Sequence, residues 1–136
     1  MTDTAHTPGP ILDALSIVVA DMAATVDFYT HLGLRFEPGA ADASHVESSV
    51  GPMRILFDTR TVVASFMPGW TEPTGGHRIA LAFACATPAE VDAEHAALDA
   101  AGYRSILEPF NAVWGQRYAV IADPDGNPID LYSPLV

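Results

Sequence analysis

The sequence has a single cysteine, Cys85, among 136 residues, which excludes an internal disulfide and any cysteine cluster for zinc. Basic residues are also scarce. Six Lys and Arg stand against 17 Asp and Glu, a formal net charge of −11. A nucleic-acid partner needs a basic face to meet its phosphates, so that class is excluded. No apolar run approaches the roughly 18 residues of a membrane span, and no basic-plus-apolar leader opens the chain. We therefore expect no membrane partner and a cytoplasmic location. G-x-S-x-G, P-loop and dinucleotide fingerprints are all missing, which leaves esterase, nucleotide and nicotinamide chemistry without support.

What is present is a core. Hydrophobic residues make up 49% of the chain, enough for one packed domain of this length. Residues 1–10, MTDTAHTPGP, are polar and proline-containing and are expected to form a flexible tail. Residues 11–136 are expected to form one domain, and they say the same thing twice. LSIVVADMAATVDFYTHLGLRF (15–36) reads as an apolar strand, the N-cap Asp21, and a helix with Val26, Tyr29 and Leu32 at helical spacing before Gly33. IALAFACATPAEVDAEHAALDAAGYRS (79–105) repeats that grammar. Thr87-Pro88-Ala89-Glu90 is a capping box with proline at the first helical position, and Gly102 is the stop.

Strand-like segments follow each helix: 34–38, 45–50 and 53–58 in the first half, and 103–107, 117–122 and 128–132 in the second. Gly51-Pro52 and Pro124-Asp125-Gly126-Asn127 are the turns. Each half is therefore β-α-β-β-β, over about 11–60 and 77–135, and the fold class is α+β. Residues 61–76 read as a linker broken by Pro68-Gly69, Pro73 and Gly75-Gly76, with a short strand expected around 62–66.

The early VADMAATVDFYTHLGLRF and the late WGQRYAVIADPDGNPIDLYSP, set in tandem β-α-β-β-β units, resemble the vicinal-oxygen-chelate superfamily, in particular its glyoxalase and bleomycin-resistance branch. The resemblance runs from about residue 12 to 135. It implies curved mixed sheets around a cavity. It also implies metal-ligand positions on the first and last strands of each module. Here those positions hold Ala14, Asp58, Arg78 (with His77 adjacent) and Asp130. Alanine has no donor atom and arginine stays protonated, so no metal or other cofactor is expected.

Strand alternation turns Ala14, Ser16, Val18, Arg54, Leu56, Asp58, Arg78, Ala80, Ala82, Ala84, Asp130 and Tyr132 toward the cavity. Small side chains there leave volume for a bulky ligand, unless the sheets simply pack closely. Phe66, Trp70, Phe110 and Trp114 fall outside the periodic core. They are either stacking walls for a flat ligand or dimer contacts. His45, Glu47 and Ser49 alternate onto one face, as a solvated edge strand or a small binding constellation. His31 and His95 are expected at the surface, and Cys85 in the core.

The resistance proteins of the resembled branch are acidic dimers with aromatic-lined ligand grooves at the dimer interface. On this reading the chain is a non-catalytic homodimer that sequesters a bulky aromatic or cationic small molecule, such as an antibiotic. The ligand-binding residues expected are Asp58, Phe66, Trp70, Arg78, Trp114, Asp130 and Tyr132. The alternative is an enzyme of the same fold, a metal-dependent lyase, isomerase or dioxygenase with a rearranged site using His77, Asp58, Asp130 and Glu47, or a metal-free enzyme with Asp130 as general base.

Overall fold

A computed structural model describes residues 9–136, so nearly all of the expected tail lies outside the described residues. The chain runs β1 (Ala14–Val19), α1 (Met22–His31), a 3-10 turn (Ala40–Asp42), β2 (His45–Val50), β3 (Met53–Thr59), α2 (Arg60–Phe66), β4 (Leu81–Ala84), α3 (Pro88–Ala100), β5 (Ser105–Ala112), β6 (Gln116–Ala122) and β7 (Pro128–Pro134). Two sheets result, ordered β1-β3-β2 and β4-β7-β6-β5. In each, the strand before the helix pairs in parallel with the last strand of its own half, and the other pairings are antiparallel. The repeat in the sequence is thus a repeat of topology.

Local chemistry explains the two long helices. Asp21 caps α1 by accepting the Ala24 amide at 3.1 Å, and Gly33 at φ 91° lets the Leu34 amide return to the Tyr29 carbonyl. Thr87 caps α3, its Oγ1 accepting the Glu90 amide at 3.2 Å, while the Glu90 carboxylate reaches back to the Ala86 amide at 2.8 Å.

Three expectations fail for local reasons. No strand forms over 34–38. Pro38 lacks a ladder donor, Gly39 turns left-handed at φ 86°, and the Arg35 carbonyl is satisfied by the Ser48 hydroxyl at 2.8 Å instead of by a strand. The first sheet therefore has three strands and the second four. Residues 62–66 are helical, not extended. Thr59 caps Val62 through its hydroxyl and Ser65 bonds the Val62 carbonyl, so capping outweighs the strand preference of Val62 and Val63. Strand β4 begins only at Leu81, which leaves Arg78 and Ile79 in exposed irregular chain and not on a strand face.

Phe28, Tyr29, Phe57, Leu98, Ile121, Ile129 and Leu131 centre a single core shared by both halves. Phe28 meets Tyr103 edge-on at 4.8 Å, and Tyr103 donates a hydrogen bond to Asp27. The strongest tie is buried. The Tyr29 hydroxyl donates to Asp123 Oδ2 at 2.7 Å, and Asp123 also accepts the Asp125 amide, the Asn127 amide and the Asn127 side-chain amide. Burial first, and the Asp123 charge second, raise the Tyr29 pKa, so this phenol stays a donor. The DPDGN turn is thereby welded to the first half. His95 is also buried, contrary to its expected surface position, with Nε2 2.7 Å from the Ser105 hydroxyl. It follows Val91 by four residues and precedes Leu98 by three, which places it on the buried face of α3.

Candidate functional site

Each sheet packs one face on the core and leaves the other open. On the first sheet, the two-residue turn Gly51-Pro52 sets the β2–β3 register and puts His45 opposite Asp58. His45 Nδ1 lies 2.5 Å from Asp58 Oδ1, and its Nε2 lies 3.2 Å from Glu47 Oε2. Both ring nitrogens face carboxylates, which accept only, so both contacts favour the protonated imidazolium. The hydrogen bond to Asp58 first, then that to Glu47, raise its pKa. Glu47 also takes Arg54 at 2.6 Å, and Arg54 reaches Asp13 at 2.6 Å. Ser16 adds a hydroxyl 3.4 Å from Asp58 Oδ2. The acid expected to meet a ligand, Asp58, is buried and already spoken for. The His45–Glu47 constellation is real and sits on an edge strand, but it is bonded internally.

The open face of the second sheet is built differently. Ala82 and Ala84 of β4 lie opposite Asp130 and Tyr132 of β7, and Tyr132 lies opposite Tyr118 of β6. Both alanines are exposed, and Asp130 and Tyr132 are half-buried. Tyr118 sits diagonally from Asp130. Burial, and then the charge of Asp130, raise its pKa, so it too remains a donor. Among the described residues no Arg or His forms an ion pair with Asp130. At the far end Phe110, Trp114 and Tyr118 pack mutually edge-to-face, with centroids 6.4, 5.3 and 5.8 Å apart. The Trp114 indole donates to Gln116 at 2.8 Å, which fixes its ring, yet the side chain is 59% exposed.

Of the seven residues expected at the site, Asp130 and Tyr132 belong to this one sheet and Trp114 to its β5–β6 turn. Asp58 belongs to the other. Phe66 and Trp70 sit at and beyond the end of α2, Phe66 exposed and Trp70 half-buried. Arg78 lies in the irregular chain before β4. Tyr118, which ties the acid to the aromatic group, was missed. Its position two residues after Gln116 on a strand paired with 128–134 is the signal that finds it.

The donor set at the four family metal positions does not fit a metal ion. Ala14 and Arg78 offer no ligand atom, and Asp58 is bonded to His45 and Ser16. Among the described residues, no group of three or more His, Cys, Asp or Glu is placed to hold one. Burial first, with Glu90 and Glu94 adding, pushes the Cys85 thiol up to about 11, which disfavours its thiolate. Among the described residues, no helix is long and apolar enough to cross a membrane.

Residues 11–131 match the family described as the Glyoxalase/Bleomycin resistance protein/Dioxygenase superfamily. The fold is similar to that of a glyoxalase/bleomycin resistance protein/dioxygenase family enzyme from Burkholderia phytofirmans PsJN, with a TM-score of 0.80, 22% identity, and coverage of 91% of this chain and 98% of that one. A glyoxalase-related enzyme from Fulvimarina pelagi superposes with a TM-score of 0.78 at 17% identity, covering 90% of this chain and 87% of that one. TioX from Micromonospora sp. ML1 does so at 0.63 and 18% identity, covering 93% and 100%. At these identities the likeness is one of fold. No curated protein sequence matches.

Proposed function

From a chain that belongs to the glyoxalase/bleomycin resistance protein/dioxygenase superfamily, we propose a small-molecule-binding protein that sequesters its ligand without turnover. The ligand is a bulky aromatic compound carrying a cationic or hydrogen-bond-donating group. The observation that carries this reading is the open face of the second sheet. There an acid without a cationic partner among the described residues, Asp130, stands beside two phenols and a fixed, exposed Trp114, over a floor of alanines. The aromatic group supplies flat apolar contact, and Asp130 supplies charge complementarity.

An open sheet face covers only one side of a bulky ligand. We therefore propose that a second copy of the chain closes it, in a homodimer of the kind bleomycin-resistance-like proteins form. Drug resistance by sequestration is the biological role this implies. Phe66, Trp70 and Arg78 are exposed or half-buried chain from which such a partner surface can be built.

The test is a thermal-shift and tryptophan-fluorescence titration with polycyclic aromatic and glycopeptide antibiotics, run beside light scattering for mass. Binding raises the melting temperature with ligand concentration, and Trp114→Ala and Asp130→Asn weaken it. A panel that moves neither readout sinks the reading. Stoichiometric divalent metal in protein purified without chelator, lost on Asp130→Ala, replaces it with the enzyme alternative.

A further inference from the structure

A cavity of about 550 Å³ lies away from the aromatic face, where the two halves meet. Leu15 and Ile17 of β1 form one wall, and Ile79 and Leu81 form the other. The Gly75–His77 stretch and the 125–127 turn close its ends. Both walls are sheet edges. Strand β1 pairs only with β3 and β4 only with β7. In a parallel ladder, alternate residues point their backbone groups to the same neighbour. The Arg54 amide bonds the Asp13 carbonyl, so the odd residues of β1 serve β3, and Ser16 and Val18 present their amides and carbonyls to the free edge.

The polar end of this cavity is acidic. Asp125 accepts the Ala20 amide on Oδ1 at 3.0 Å, and its Oδ2 has no hydrogen-bond partner among the described residues. Asp125 is exposed, yet partial desolvation raises its carboxyl pKa; the Asp123 charge adds to this, and the Ala20 amide and Arg60 oppose it. Glu72 is fixed at the rim by a two-pronged contact with Arg60, at 2.7 and 3.1 Å. Three carboxylates, those of Glu72, Asp123 and Asp125, thus stand against one guanidinium. The local field is negative within a chain of net charge −11.

We propose that this junction cavity is a second binding site, taking a small primary ammonium with an aliphatic body. The ammonium meets Asp125 Oδ2 and the free-edge carbonyls of Ser16 and Val18. The aliphatic body lies between Leu15, Ile17, Ile79 and Leu81. A cavity of this volume falls in the usual range for drug-sized ligands. The site shares no residue with the aromatic face and stands whether or not that face binds anything.

The probe is n-hexylammonium, titrated into the full ¹⁵N-labelled chain, with n-hexanol and hexanoate as controls. Hexylammonium is expected to shift the amides of Ser16, Gly75, Gly76 and Gly126, with hexanol at least fivefold weaker and hexanoate inert. Asp125→Asn keeps the acceptor for Ala20 and removes the charge, and it weakens hexylammonium at least fivefold. Ile79→Trp fills the cavity from an exposed position outside any strand and abolishes the shifts, while circular dichroism reports an intact fold. Trp114→Ala, which disables the aromatic face, leaves this titration as it is. Equal binding of hexanol and hexylammonium, indifference to both Asp125→Asn and Ile79→Trp, or shifts centred on Trp114 and Tyr118 each overturns the proposal.

Discussion

The two sheets share the order of three strands, the second adding β5 at its edge, and differ on their open faces. The first carries five charged side chains linked end to end, Asp58–His45–Glu47–Arg54–Asp13, and each finds its complement within the sheet or just before it. The second carries Asp130 beside two tyrosines, with three rings clustered at the far end. A repeated backbone plan therefore does not repeat the chemistry. One face satisfies itself. The other leaves Asp130 without a cationic partner among the described residues. The cause lies in pairing: a hairpin with a two-residue turn sets His45 against Asp58, whereas the longer DPDGN turn and the parallel pairing of β7 with β4 set Asp130 against an alanine.

The comparison breaks most completely if the halves are unlinked. Asp123→Ala strips the acceptor from Tyr29 and from three turn donors, and is expected to cost about 3 kcal/mol, as buried-network losses do. Urea unfolding measures it, and Tyr29→Phe, which leaves the turn bonds in place, should cost less. Next comes the difference between the faces in binding. Trp114→Ala is expected to raise the dissociation constant of an aromatic ligand about tenfold, the upper range for an aromatic pair, and His45→Gln to leave it alone. Equal losses in both variants would erase the distinction drawn between the sheets.

The self-satisfied face has its own signature in pH. The folded pKa of His45 lies above the unfolded one, through Asp58 first and Glu47 second. Its stabilisation is therefore complete below about pH 6.5 and is lost as pH rises through the folded value. Glu47 runs the other way, its pKa lowered by His45 first and Arg54 second, and its share disappears as the solution turns acid. In His45→Gln, stability measured across neutral and mildly alkaline pH should lose that decline. The smallest effect is expected from Arg117→Ala, which removes partly exposed contacts with Asp92 and Asn111 and should cost about 0.5 kcal/mol.

Much of the fold was legible because its signals are local. Asp21, Thr87, Glu90, Gly33 and Gly102 mark helix ends by hydrogen bonds made within a few residues. The failures arose where local signals compete. Val62 and Val63 favour a strand, but Thr59 caps a helix there and Ser65 bonds back to the Val62 carbonyl within it. Residues 34–38 alternate like a strand, but Pro38 and Gly39 end the run, and Ser48, thirteen residues on, takes the carbonyl. The site was legible only in part. Asp130 and Tyr132 followed from alternation after a secure turn. The engagement of Asp58 by His45 needed the hairpin register counted back from Gly51-Pro52, and the junction cavity needed the relative placement of two edges, which no local pattern encodes.

The bond from Tyr29 to Asp123 spans 94 residues. During synthesis the first half emerges with its central phenol lacking an acceptor, and the acceptor follows about 5–20 s later at ordinary elongation rates. The first half is thus a folding partner in waiting, and the order of events on the ribosome is written into a single hydroxyl.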